Sequence, residues 1–423
     1  MADERVFVII GASLAGGKAA ETLRKDGFEG RIMLVGAETE RPYERPPLSK
    51  GYLLGDQPRD KAFLKDAEWY TEQNIELILG VRATGLNPKA HTVTLDLVEP
   101  VHYDKLLLAT GSVVRQLDAP GSENTGIRYL RTIEQADALI DSLRSGVSVV
   151  VIGAGWIGLE TAAAAIKRGA NVHVVEMDRL PLRRVLGDEL GQIYQDLHRA
   201  HGVIFHCGAG LKEFGGIGGR LSHVVLSDDS EIPADVAIVG VGIRPAIELA
   251  EVAGLTVDNG VVTDASLTTS DPDVYACGDV ASWESTLVGA RIRVEHWENA
   301  LEGGKAAARA MLGQPDTYRD HIPYFYSDQY NTSPSLGMEY AGYVGPSGYD
   351  QVVFRGDPTI EADADPEFIA FWVKGGRVLA GMNVNIWDVN DDIKALVRAG
   401  YADKAVDLEK LADPSVPLPD LLQ

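Results

Sequence analysis

At 423 residues the chain is too long for a single hydrophobic core, and two or three domains are expected. Apolar residues make up 45% and charged residues 24%, enough for a core and a solvated surface, which excludes a fibrous or disordered chain. A net charge of -23 sets the field of the whole protein against nucleic acid and anionic membrane, so neither is expected as a partner.

Residues 1–5 lack a basic stretch leading into an apolar one, and no apolar run reaches membrane-spanning length, so neither a signal peptide nor a span is expected. Val6–Ile10 is continuous and β-branched, which predicts a strand buried on both faces, and Ala19, Ala20 and Leu23 mark the helix after it. Between them runs Gly11-Ala12-Ser13-Leu14-Ala15-Gly16. Gly11 allows the tight turn, Gly16 lets helix and strand approach, and the helix N-terminus offers N–H groups to a pyrophosphate. Ser13 stands where the pattern has its middle glycine. After a second strand, Arg31–Gly36, Glu38 is placed to accept from ribose hydroxyls. Such a glycine pattern alone also fits a plain strand-turn-helix; Glu38 favours a nucleotide. The proline-rich stretch 41–50 carries Arg41, Arg45 and Lys50, and its prolines predict a stiff wall rather than a mobile loop.

Strands are expected at 91–96 and 105–109, the latter ending at Ala109-Thr110-Gly111, and a helix at 134–143. A second and more specific fingerprint follows the apolar strand Ser148–Ile152. Gly153, Gly155 and Gly158 are all present, followed by Trp156, Ile157 and Glu160 as an alanine-rich helix begins. The next strand, Asn171–Glu176, ends on an acid that accepts from the adenosine ribose and repels a 2'-phosphate, which predicts NADH over NADPH. Arg179, Arg183 and Arg184 nearby pull the other way.

Further strands are expected at 203–206 and Val236–Val239, with a hairpin at 221–225 and Gly240-Val241-Gly242 as a close-approach turn. Residues 268–280 read as a turn, a short strand and a helix start bearing Asp279, as a cap or as an acceptor for a sugar-like hydroxyl. Glu295-His296-Trp297 precedes a helix at 299–311, and His296 reads as packing. Beyond Gly313 aromatic and alternating segments predict an α+β domain. It includes a hairpin about Gly375-Gly376 and a helix capped by Asn390 and ended by Gly400, with an extended arm or a partly disordered tail after Val406. The only cysteines, Cys207 and Cys277, lack metal-ligand spacing, so no disulfide framework and no metal site are expected, and a cytoplasmic setting fits.

Both glycine turns, Ala109-Thr110-Gly111, Gly240-Val241-Gly242 and Cys277-Gly278-Asp279 occur in the order that resembles the pyridine nucleotide-disulfide oxidoreductase superfamily. Within it, Arg45-Pro46-Pro47-Leu48-Ser49-Lys50, Glu295-His296-Trp297 and Ser327-Asp328-Gln329-Tyr330 resemble the NADH-dependent ferredoxin reductases that serve oxygenases. The resemblance implies an α/β fold of two Rossmann-like dinucleotide-binding domains, one inserted in the other, plus a C-terminal α+β domain. Its boundaries would be 1–115 with 250–321 for FAD, 116–249 for NAD and 322–423 for the last.

The same resemblance implies FAD held by Gly11, Ser13, Ala15, Gly16, Glu38, Arg45, Lys50, Val81, Ala109, Thr110, Gly111, Arg131, Asp279, Trp297 and Tyr326. It implies NADH held by Gly153, Gly155, Trp156, Ile157, Gly158, Glu160, Glu176, Gly242 and Glu295, with Lys50 and Glu160 as a catalytic ion pair. Disulfide reductases of the superfamily carry cysteine where this chain has 42–50, so no thiol relay is expected. The resemblance implies an enzyme that takes hydride from NADH onto FAD and passes single electrons to a two-iron ferredoxin, with a monomer or homodimer expected. Tyr326 stands where those reductases commonly have tryptophan. That substitution leaves two other acceptor readings: a flavin NADH oxidase or quinone and dye reductase, and a redox-sensing interaction protein like apoptosis-inducing factor.

Overall fold

The computed structural model describes residues 3–315 and 318–422, and its contacts resolve two compact units. The first is built from 1–44, 59–113 and 244–325, the second from 45–58, 114–243 and 326–423.

In the first unit the strand Val6–Ile10 lies at the centre of a five-stranded parallel sheet in the order Val274–Ala276, Lys105–Leu108, Val6–Ile10, Arg31–Gly36, Ile75–Leu79. Ile9 pairs with Leu34 on one side and Leu107 on the other, and all three are fully buried, as a run without alternation requires. Helix Leu14–Lys25 packs on helix Trp297–Met311 through small residues. A Cβ on Gly304 would stand 2.3 Å from the Ala15 carbonyl oxygen, so only glycine permits that approach. The expected helix at Asp279 is a single 3-10 turn, Gly278–Val280. The chain then enters strand Ala281–Ser285, because that segment pairs with Val261–Thr263 and Ala290–Ile292.

The second unit repeats the plan in the order Ile204–Cys207, Asn171–Glu176, Ser148–Ile152, Val236–Val239, Ile127–Arg128, again all parallel. The expected hairpin at 221–225 is one strand, Arg220–Leu226. Its partner is Leu211–Ile217 and the turn is Gly218-Gly219, both glycines at positive φ. Alternation in 211–217 is broken by Gly215-Gly216 and a register shift, which hid that strand.

From residue 324 the chain forms a sheet in the order Tyr324–Gln329, Leu336–Gly342, Arg377–Val384, Glu367–Lys374, Gln351–Asp357, with helix Asn390–Tyr401 packed on it. Three expectations fail here for physical reasons. Asn390 is the first helical residue and Val389 the cap. Gly400 lies inside the last turn, where a Cβ would stand 2.0 Å from the Val378 carbonyl oxygen, so it serves packing rather than termination. The tail after Val406 is not an extended arm: Leu408–Ala412 is helical and Leu411 and Leu418 are buried. Buried Arg355 donates to the carbonyl oxygens of Leu411, Asp413, Pro414 and Val416, which supply the partners that a desolvated guanidinium needs.

Within this unit His198, on helix Asp188–Ala200, is fully buried. Its Nε2 lies 2.6 Å from Gln329 Oε1 and its Nδ1 2.7 Å from the Tyr330 hydroxyl. Burial pushes the imidazole from 6.5 down to about 4. The unfolded chain therefore takes up a proton near pH 6.5 that the folded protein refuses until about pH 4. Stability is expected to fall as pH drops through that window, by about 3 kcal/mol at its lower end. Denaturant unfolding across the window checks this, and His198→Gln should remove that part of the slope.

Candidate functional site

In the first unit the glycine turn is fixed by close approach. Gly11 sits at φ +121, and a Cβ there would lie 2.0 Å from the Ala109 carbonyl oxygen; one on Gly16 would lie 1.9 Å from that of Gly11. Ala109 is thereby brought against the turn, with Thr110 Oγ1 donating to the Ala246 carbonyl at 2.8 Å and Gly111 at φ +67. Ser13 is the cap of helix Leu14–Lys25, but its side chain caps nothing, and the first turn holds no acid. Ala15 lies under the Asp279 turn: a Cβ on Gly278 would be 3.3 Å from Ala15 Cβ. At the neighbouring strand end, Glu38 accepts from the Tyr43 hydroxyl, and the backbone N–H of Val81 donates to the Gly36 carbonyl at 3.0 Å. Glu295 pairs with Arg293, and Trp297 begins the helix that packs on this turn.

The second turn has the same skeleton. A Cβ on Gly153, at φ +97, would lie 2.5 Å from the Gly240 carbonyl oxygen, and one on Gly158 2.0 Å from that of Gly153. Gly155 differs: a Cβ there meets nothing within 4 Å, although the residue caps helix Trp156–Lys167. That glycine is not required by packing, and the space beside it faces a helix N-terminus with no side-chain cap and no acid in its first turn. Both turns therefore fit a dinucleotide pyrophosphate.

Glu176 is pinned at the strand end, Oε2 accepting from the Ala154 N–H and Oε1 from that of Asp178, each at 2.8 Å. Trp156 meets Tyr194 edge-on at 5.5 Å, Ile157 is 42% exposed, and Gly242 lies at φ +98. Glu176→Ala is expected to raise the KM for NADH about tenfold and to narrow the preference over NADPH, because the ribose acceptor and two backbone bonds are lost together. Steady-state kinetics with both nucleotides checks it, and an unchanged preference would count against the role.

Also in the second unit, Lys50 Nζ lies 2.8 Å from Glu160 Oε1, with side chains 12% and 3% exposed. Ser327 Oγ donates to the same oxygen at 2.7 Å, and Ser49 Oγ donates to Oε2. Three donors, one ammonium and two hydroxyls, close on one buried carboxylate, which is how a charge survives away from water. The ring of Tyr326 lies beside Lys50, its centroid 5.4 Å from Nζ, a cation–π arrangement. Arg45 donates to the Arg131 carbonyl, tying the proline-rich wall to the chain just before helix Ile133–Ser142. Ser49 and Ser327 stood inside quoted motifs without a role; neither periodicity nor spacing indicates that two hydroxyls 278 positions apart share a carboxylate.

Neither cysteine is activated. Burial pushes the Cys277 thiol up to about 12 and raises that of Cys207. Arg41, Arg291 and Arg293 each donate to backbone carbonyls, of Lys65, of Thr263 and Ser282, and of Asp279 respectively. No group of three or more candidate metal ligands occurs among the described residues, and no helix among them is long and apolar enough to cross a membrane.

Residues 5–304 match the family described as pyridine nucleotide-disulphide oxidoreductase. The chain belongs to that family. Residues 324–422 match a second model, the reductase C-terminal domain. A ferredoxin–NAD(+) reductase component of the anthranilate 1,2-dioxygenase system of Burkholderia cepacia is 38% identical over 98% of this chain and 99% of its own length. Putidaredoxin reductase of Pseudomonas putida is 38% identical over 98% of this chain and 96% of its own. The crystal structure of a covalent putidaredoxin reductase–putidaredoxin complex superposes with a TM-score of 0.91 at 36% identity, covering 99% of this chain and 98% of that one. The family is one of FAD and pyridine-nucleotide oxidoreductases.

Proposed function

We propose that this oxidoreductase is an FAD-dependent NADH:ferredoxin reductase that delivers electrons to a two-iron ferredoxin serving an oxygenase. What carries the reading is end-to-end similarity to ferredoxin reductases of oxygenase systems, in a chain whose two thiols are both raised by burial and so unsuited to relay electrons. FAD, when bound, accepts hydride from NADH and releases electrons one at a time.

This chain's residues supply binding and orientation. Gly11, Ser13, Ala15, Gly16, Ala109, Thr110, Gly111 and Asp279 would hold the FAD pyrophosphate and ribityl chain, Glu38 and Val81 the adenosine end, and Arg45, Arg131, Trp297 and Tyr326 the flavin side. Gly153, Gly155, Trp156, Ile157, Gly158, Glu176, Gly242 and Glu295 would hold NADH. Lys50 and Glu160 are assigned as the catalytic pair, the carboxylate fixing the ammonium and excluding water from it. The corresponding divisions are 1–115 with 250–321 for FAD, 116–249 for NAD and 322–423 for the C-terminal domain. A cytoplasmic setting and a monomer or homodimer complete the reading.

The test is stopped-flow mixing of the holoprotein with NADH and then with two-iron ferredoxins from the same source, recording oxygen uptake in parallel. Rapid ferredoxin reduction with little peroxide is expected. Fast reduction of dyes or oxygen with no ferredoxin accepting electrons would overturn the choice of acceptor.

A further inference from the structure

The loop after Glu176 carries three arginines beside a nucleotide site, the composition that a 2'-phosphate would attract, yet each of the three is paired with a neighbouring aspartate. Arg179 pairs with Asp188. Arg183 spans both acids, Nε 2.6 Å from Asp188 Oδ1 and Nη1 3.1 Å from Asp178 Oδ1. Arg184 Nε lies 3.1 Å from Asp178 Oδ2. The Arg184 guanidinium holds the carboxyl of Asp178 below its usual range, and that of Arg183 does the same for Asp188.

The loop is anchored to the glycine turn at two points. The Leu182 N–H donates to the Ala154 carbonyl at 3.0 Å, and the Asp178 N–H donates to Glu176 Oε1 at 2.8 Å. Leu182 itself is buried, and Asp178 accepts from the Gly208 N–H at 3.0 Å. The loop that carries these charges is therefore held beside the ribose acid, with the charged side chains paired to one another at the surface. With Glu176 counted, three cations face three carboxylates, and the local field is close to neutral. A ribose hydroxyl is indifferent to that balance, but a phosphate carrying nearly two negative charges gains nothing from it.

We propose that Asp178 and Asp188 are specificity-determining residues: they occupy Arg179, Arg183 and Arg184 as counter-ions and so deny a 2'-phosphate the cations that the loop already contains. Glu176 repels the phosphate directly, while the two aspartates remove its reward. Glu176→Ala alone should therefore narrow the NADH preference without creating good NADPH binding. The inference rests on reading the Gly153 turn as the pyridine-nucleotide site.

The experiment is calorimetric titration of the holoprotein with 2',5'-ADP and with 5'-AMP, probes that differ only by the 2'-phosphate. In Asp178→Asn with Asp188→Asn, 2',5'-ADP is expected to bind about tenfold tighter or better, with 5'-AMP changed far less, and raised salt should erase the gain. Steady-state kcat/KM for NADPH should rise in parallel. Asp188→Asn alone, which frees Arg179 and one side of Arg183 while leaving Asp178 to hold the loop, should give part of the same gain and covers the case in which the double variant folds poorly. Equal changes for both probes, or none for either, would overturn the proposal. Gly155→Val separates the two levels. If it retains 5'-AMP binding, the adenosine does not sit at this turn and both readings fall; if it loses binding while the aspartate variants show no discrimination, only the aspartate lock falls.

Discussion

Replacing Lys50 by methionine is expected to destabilise the protein by about 3 kcal/mol and to slow flavin reduction by NADH without releasing FAD. The stability term follows from burial: Glu160 is only 3% exposed at its side chain, and removing its cation leaves a carboxylate with two hydroxyl donors where water cannot reach it. Ser49 and Ser327 keep the loss at the lower end of the range for breaking a buried pair. Those figures alone would not distinguish a catalytic pair from a structural one. The double variant Lys50→Met, Glu160→Leu does, because an apolar pair of similar volume commonly restores the stability that a half-broken ion pair forfeits. Recovery of the unfolding midpoint with the slow reduction retained, measured by urea titration and stopped-flow absorbance, supports the assignment. Recovery of both would make the pair structural.

The parts of this molecule that were legible in the sequence are those where one residue type answers one local demand. Val6–Ile10 and Ser148–Ile152 read as buried strands because their environment on both faces is apolar, and the glycines after them read as turns because a Cβ would strike a carbonyl oxygen. The positions of Glu38 just past one strand and of Glu176 at the end of another were legible from interval alone. Where tertiary context decides, sequence logic misassigned the residue. Gly400 has the composition of a terminator but is a contact glycine, since the Val378 carbonyl occupies its Cβ position. The tail after Val406 has the prolines and charges of a loose arm, but Arg355, some fifty residues earlier, binds its carbonyls. The serines on Glu160, the histidine on Gln329 and the aspartates on the arginine loop share this property. Their partners lie far away in sequence or compete with several equivalent ones, and no periodicity marks the pairing.

Gly158 and Gly155 of the second turn should fail in opposite ways when each is replaced by valine. At Gly158 the new Cβ would stand 2.0 Å from the Gly153 carbonyl oxygen, so helix Trp156–Lys167 must move off the strand. Overpacking against backbone that cannot relax is expected to cost about 3 kcal/mol or more, seen as a fall in Tm with NADH binding lost as a consequence. At Gly155 nothing lies within 4 Å and the backbone is extended, at φ -79, so valine fits the folded protein and Tm should stay within a few degrees. The branched side chain instead fills the approach to the helix N-terminus, where charge-assisted bonds from backbone N–H groups to a pyrophosphate would form. The KM for NADH is expected to rise about a hundredfold. Thermal unfolding and NADH titration on both variants check the contrast. A Gly155→Val protein that stays folded and keeps its NADH affinity would move the dinucleotide away from this turn, and unfolding in both would mean that the open space beside Gly155 is closed in solution.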